Sequence, residues 1–110
     1  VLRWRTALEI RFRDKKVRLL CESRDAAVKK LGDACARKLR SRLDDLEHAA
    51  NVYELPAGNP HPLTGDRAGE YAVNLAGGWR LTFSPANDPV PRHADGGVNW
   101  RAVTIVCIEF

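Results

Sequence analysis

The sequence predicts an α+β fold: an N-terminal strand, two or three helices, then a three-stranded antiparallel run forming a small sheet with the helices packed on it. Three observations predict it. Leu8, Ile10 and Phe12 alternate with Glu9, Arg11 and Arg13, the period of two of a half-buried strand over residues 7–13. Cys35, Leu39, Leu43, Leu46 and Ala50 fall at spacings of four, four, three and four, one face of a helix. After residue 70 the period of two returns in three short runs, so strands segregate behind helices rather than alternating with them.

The elements follow in order. Asp14 is placed to cap a short helix over residues 15–22, with Val17, Leu20 and Cys21 inward. Ser23 or Asp25 caps a second piece carrying Ala26, Ala27, Val28 and Leu31, which Gly32 closes as a left-handed residue. Asp33 opens the longest helix, running to about residue 49, with Arg37, Lys38, Arg40 and Arg42 off its apolar face and an Arg40–Asp44 pair at helical spacing. Residues 56–69 hold three prolines and three glycines and read as loop. Tyr71, Val73 and Leu75 then alternate with polar or small residues, as do Trp79, Leu81 and Phe83, and Ala76-Gly77-Gly78 joins the two runs as a hairpin. Residues 84–99 read as a long loop. The last strand, residues 103–108, is apolar on both faces, which fits a central position.

At 110 residues the chain is one domain, residues 1–110, and its 45% apolar and 29% charged residues argue against disorder. No apolar run is long enough to span a membrane, and Val1-Leu2-Arg3-Trp4-Arg5 lacks the apolar stretch of a signal peptide, so a cytoplasmic location without membrane contact is expected. Cys21, Cys35 and Cys107 form no C-x-x-C pair, which argues against a disulfide scaffold or a structural zinc site; Cys35 and Cys107 read as small core residues. The net charge is +4, and it is uneven. Residues 1–50 carry 14 basic and 8 acidic side chains, a net of +6, whereas residues 51–110 carry 4 and 6, a net of −2. A basic half points to a polyanion, with Arg11, Arg13, Lys15, Lys16, Lys29, Lys30, Arg37 and Lys38 as its contacts; solvated helix faces are the simpler account.

Three groups suit chemistry. His61 lies in a Pro-His-Pro segment, Arg67 six residues on, and Arg80 on the hairpin strand, on the face opposite Trp79, Leu81 and Phe83. Each has a plainer account: His61 as a loop residue, Arg67 as an ion-pair partner of Asp66 or Glu70, Arg80 as a cross-strand surface residue.

These residues also carry a resemblance. The stretch His61-Pro62-Leu63-Thr64-Gly65-Asp66-Arg67-Ala68-Gly69-Glu70-Tyr71, followed by Gly78-Trp79-Arg80-Leu81-Thr82-Phe83, resembles the killer-protein signature of HigB-type toxins in the RelE/ParE superfamily of toxin–antitoxin modules. Residues 8–16, the Val28-Lys29-Lys30-Leu31-Gly32 segment and the loop at residues 85–89 resemble the same family in the same order. The resemblance implies a RelE-like fold and a metal-independent endoribonuclease, without cofactor, that cuts messenger RNA on the ribosome. It also implies a helix-turn-helix antitoxin of the HigA kind as partner, with operator DNA reached only through that antitoxin. In such chemistry the ribose 2′-hydroxyl attacks the neighbouring phosphate, so His61 is expected to move a proton and Arg67 and Arg80 to hold phosphate oxygens. Thr64 stands where the family usually carries Lys, and the sequence ends at Glu109-Phe110 where the family runs into an Asp-Tyr-His-like tail. The expectation is therefore an incomplete catalytic set: the sequence is truncated, the protein is weakened, or other residues compensate, with His93 a candidate for that and His48 merely solvated. The alternative is a weakened or inactive toxin-fold module that binds the antitoxin and acts with it as co-repressor. The gyrase-directed branch of the superfamily fits the His61–Arg67 stretch less well.

Overall fold

The computed structural model describes residues 7–110, so the Val1–Arg5 stretch discussed above lies outside the described residues. The chain runs through strand β1 (Glu9–Phe12), helices α1 (Lys15–Glu22), α2 (Arg24–Leu31) and α3 (Asp33–His48), a 3-10 turn (Val52–Glu54), strand β2 (His61–Pro62) and a second 3-10 turn (Gly65–Arg67). Strands β3 (Tyr71–Asn74), β4 (Arg80–Pro85) and β5 (Ile105–Glu109) complete it. The α+β class and the helix-then-strand order are as the periodicities predict.

Local chemistry sets the helix ends. The Val17 N–H donates to Asp14 Oδ1 at 2.9 Å and the Ala26 N–H to Ser23 Oγ at 3.2 Å, so the cap of α2 is Ser23, not Asp25. Gly32, at φ +89, ends α2 and turns the chain into α3, a conformation that side-chain-bearing residues rarely adopt. The apolar face of α3 is Cys35, Ala36, Leu39, Leu43 and Leu46, continued by Ala49 rather than Ala50, because the helix stops at His48 and the backbone turns there. Arg40 bonds Asp44 at 2.9 Å, the expected helical pair.

The five strands form one mixed sheet in the order β1-β5-β4-β3-β2. β1 pairs with β5 in parallel, and every other neighbour is antiparallel. β5 is thus internal, consistent with its apolar residues on both faces. The register sorts the side chains. Ile10, Phe12, Tyr71, Val73, Leu81, Phe83, Val106 and Ile108 share one face, and they join the buried residues of the three helices in a single apolar cluster. The helices therefore cover one face of the sheet only. The segment between β4 and β5 adds Trp100 and Val103 to the same core. Asn87 fastens that segment: its Oδ1 accepts from the Thr104 and Ile105 N–H groups at 3.0 and 3.1 Å, and its Nδ2 donates to Thr104 Oγ1 at 2.8 Å.

Three expectations need correction. Residues 56–69 are not all loop, since β2 and a 3-10 turn lie within them. Pro60 precedes β2 and Pro62 lies in it without breaking it, because β2 is an edge strand, where a missing N–H leaves no partner unpaired. The 84–99 loop includes the end of β4 and an isolated Arg92–Val98 bridge. Cys35 is buried as expected, but Cys107 points to the face away from the helices and is only half-buried. Alternation in β5 sends Val106 and Ile108 to the core and Cys107 to the other side. Among the described residues no helix is long and apolar enough to cross a membrane.

Candidate functional site on the uncovered sheet face

The face of the sheet without helices gathers the polar residues of the strands. The register lays His61, Ala72, Thr82 and Glu109 in one row across β2, β3, β4 and β5. Arg13 continues that row beyond β1, where its N–H donates to Ile108 O at 3.1 Å. A neighbouring row holds Ser84, Cys107 and Arg11, and Arg80 stands opposite Asn74 on the other flank. Arg80 thus faces away from Leu81 and Phe83, as alternation requires.

His61 is half-buried, and its Nδ1 lies 2.7 Å from Asn59 O. A carbonyl only accepts, so Nδ1 carries the hydrogen and Nε2 is the ring nitrogen with the lone pair. The φ of +50 at Asn59 is the left-handed turn that brings this carbonyl back under the ring.

Arg67 reaches this face from the 3-10 turn. Its Nε and Nη2 donate to Glu70 Oε2 and Oε1 at 2.9 and 2.6 Å, and Nη2 also donates to Glu109 Oε1 at 3.2 Å. Glu109 Oε2 takes a second ion pair from Arg13. The partner offered locally was Asp66 or Glu70; the structure selects Glu70 and adds Glu109 from 42 residues away. The carboxyl of Glu70 is held below its ordinary value, first by its hydrogen bond from Arg67 and then by the charges of Arg67, Arg80 and Arg13. Among the described residues Arg80 has no hydrogen bond or ion pair to a side chain, although its charge acts on the Glu70 carboxylate.

The other cations divide. Arg11 and Arg13 lie on this face, whereas the exposed Lys15 and Lys16 open α1, in the helical layer. Lys29 and Lys30 end α2, and Arg37 and Lys38 sit on α3, on the helical layer that covers the opposite face. His93 lies in a tight turn closed by its own N–H to Gly97 O at 2.8 Å, outside the rows that carry His61 and Arg80. His48 is exposed at the end of α3 with Nδ1 2.7 Å from Asp44 O.

Cys21 lies on the helical side, and burial pushes its thiol up to about 11, so it is a poor nucleophile at neutral pH. Two hollows of about 540 Å³ also lie on that side, between α1 and α3 and beside β1. On the other face Ala72 and Thr82, at the centre of the His61–Glu109 row, are themselves fully buried.

The sequence singles out His61, Arg67 and Arg80 as candidates but not Glu109, whose only signal is its alternation with Ile108 at the end of an apolar strand. Comparison of the chain with protein-family models, with curated proteins and with solved structures finds no match.

Proposed function

We propose that the chain is the toxin of a type II toxin–antitoxin module: a ribosome-dependent, metal-independent messenger endoribonuclease of the cytoplasm, neutralised by a helix-turn-helix antitoxin. The observation that carries this reading is that His61 and Arg80, which has no hydrogen bond or ion pair among the described residues, share the sheet face without helices with Arg11, Arg13 and Arg67. A messenger strand laid across this face has its phosphates among guanidiniums. His61 exchanges a proton with the ribose or with the leaving oxygen. Arg80 and Arg67 stabilise the extra negative charge on phosphorus as the 2′-oxygen bonds to it, and the products are a 2′,3′-cyclic phosphate and a 5′-hydroxyl. The killer-protein resemblance supplies the substrate; the face supplies the means.

The direct test incubates the protein with translating ribosomes and maps message ends by primer extension. Discrete cuts support the reading, with His61→Ala and Arg80→Ala each slowing them on the order of 10²-fold or more. Intact messages at growth-arresting doses refute it.

A second reading draws on the carboxylates. Glu70 and Glu109 already occupy Arg67, and Glu109 occupies Arg13, which suits a binding module more than a nuclease. Under that reading wild type and His61→Ala leave messages equally whole, and both tighten the antitoxin on its operator.

A further inference from the structure

Three carboxylates stand on or beside the uncovered face, and their backbone positions relative to His61 differ. Glu9 pairs with Arg11 at the β1 edge, at the far side of the sheet from β2. Glu109 shares a row with His61 but lies three strands away, roughly 14 Å between Cα atoms at the usual strand spacing. Glu70 is different. The Leu63 N–H donates to Glu70 O at 2.9 Å and carries the β2–β3 ladder one pair beyond Pro62–Tyr71. Glu70 therefore points to the same face as Ala72, the residue opposite His61, and is the diagonal cross-strand neighbour of His61, about 7–8 Å away by Cα. Its carboxylate also lies beside that of Glu109, since both accept from the same Arg67 Nη2.

Resting on the endoribonuclease reading, we propose that Glu70 is the catalytic proton acceptor and His61 Nε2 the donor. Glu70 takes the proton of the 2′-hydroxyl as the 2′-oxygen bonds to phosphorus. The bond from phosphorus to the 5′-oxygen breaks, and that oxygen takes the proton of imidazolium Nε2. A cyclic phosphate and a 5′-hydroxyl leave; Glu70 is then protonated and His61 neutral, and water exchanges both back. Each Glu70 oxygen holds one Arg67 N–H and keeps a further lone pair, and the side chain is 20% exposed, so it can be reached. The two bonds from Arg67 aim the carboxylate, and that guanidinium stays beside the phosphate whose charge it offsets.

The test is single-turnover cleavage of message on programmed ribosomes, at several pH values and protein concentrations, for wild type, Glu70→Gln and Glu70→Asp. Glu70→Gln is expected to lower the maximal rate on the order of 10²-fold, to leave half-saturation within about threefold, and to abolish the acidic limb of the rate profile. Glu70→Asp is expected to keep that limb at a reduced rate. A Glu70→Gln rate within about threefold of wild type overturns the proposal and leaves the nuclease reading standing. So does a loss that appears in half-saturation with the acidic limb intact, since a purely structural ion pair does that. A wild type that leaves the message whole overturns both.

Discussion

Arg67 Nη2 lies 3.2 Å from Glu109 Oε1, joining the turn before β3 to the last residue of β5 across 42 positions of chain. With Arg13 on the other oxygen, Glu109 stands between two cations of the proposed phosphate-binding face. Its side chain is 18% exposed, so the network is shielded but not sealed from water.

Glu109→Gln removes one negative charge from among these cations. RNA binding is expected to tighten and its salt dependence to steepen, because Arg13 loses its acidic partner and Arg67 keeps only Glu70. Fluorescence polarisation with a short RNA across a salt series measures both. Fold stability is expected to change by no more than about 1 kcal/mol, as for other partly exposed ion pairs.

The ion pair of Glu70 gives the fold a pH dependence with a definite sign. Its folded carboxyl titrates below the ordinary 4.5, chiefly through the hydrogen bond from Arg67. The stabilisation is fully present above 4.5 and is lost as pH falls through the lowered folded value. Urea denaturation of wild type and Glu70→Gln is expected to differ by a constant amount from pH 7 to about pH 5, and the gap is expected to close on further acidification.

Phe83 is fully buried on β4, between β3 and β5, beneath the helices. Phe83→Ala is expected to cost about 3–5 kcal/mol by chemical denaturation. In a domain whose whole stability is of order 5–15 kcal/mol, that change empties much of the native population at physiological temperature.

Gly58 sits at φ +86, where an added Cβ would meet Arg42 Cδ and Val73 Cβ at 3.1 Å and Asn74 O at 3.3 Å. Its own carbonyl accepts from the Asn74 N–H at 2.7 Å, holding the approach to β2 against β3. Gly58→Ala is expected to destabilise the fold by more than about 1 kcal/mol and to loosen the His61 segment, read as faster amide exchange at Asn74.

What could be read from the sequence was what neighbours in the chain decide. Asp14 and Ser23 cap helices through bonds to residues three positions on, and Gly32 turns the chain by its own φ. The β3–β4 hairpin announces itself by period and by Gly77-Gly78. What stayed hidden is decided at long range. Nothing local tells β1 to lie parallel to β5, a pairing between residues almost a chain length apart. β2 is masked by its prolines, and its strand character comes from β3 beside it. The candidate site divides in the same way. The residue types of His61, Arg67 and Arg80 drew notice to them, and Glu70 lay within helical-turn distance of Arg67. The Glu109 contact exists only because the sheet brings the chain's end back over the turn.

The central claim is that the uncovered face cuts RNA through the ribose 2′-hydroxyl. It is tested most directly by a message carrying a single 2′-deoxyribose at a mapped cut site, presented to the protein on programmed ribosomes. The account predicts that the unmodified message is cut there to a 2′,3′-cyclic phosphate end, that the deoxy message stays whole at that site, and that both are bound equally. A deoxy message cut at the same place and rate would contradict it.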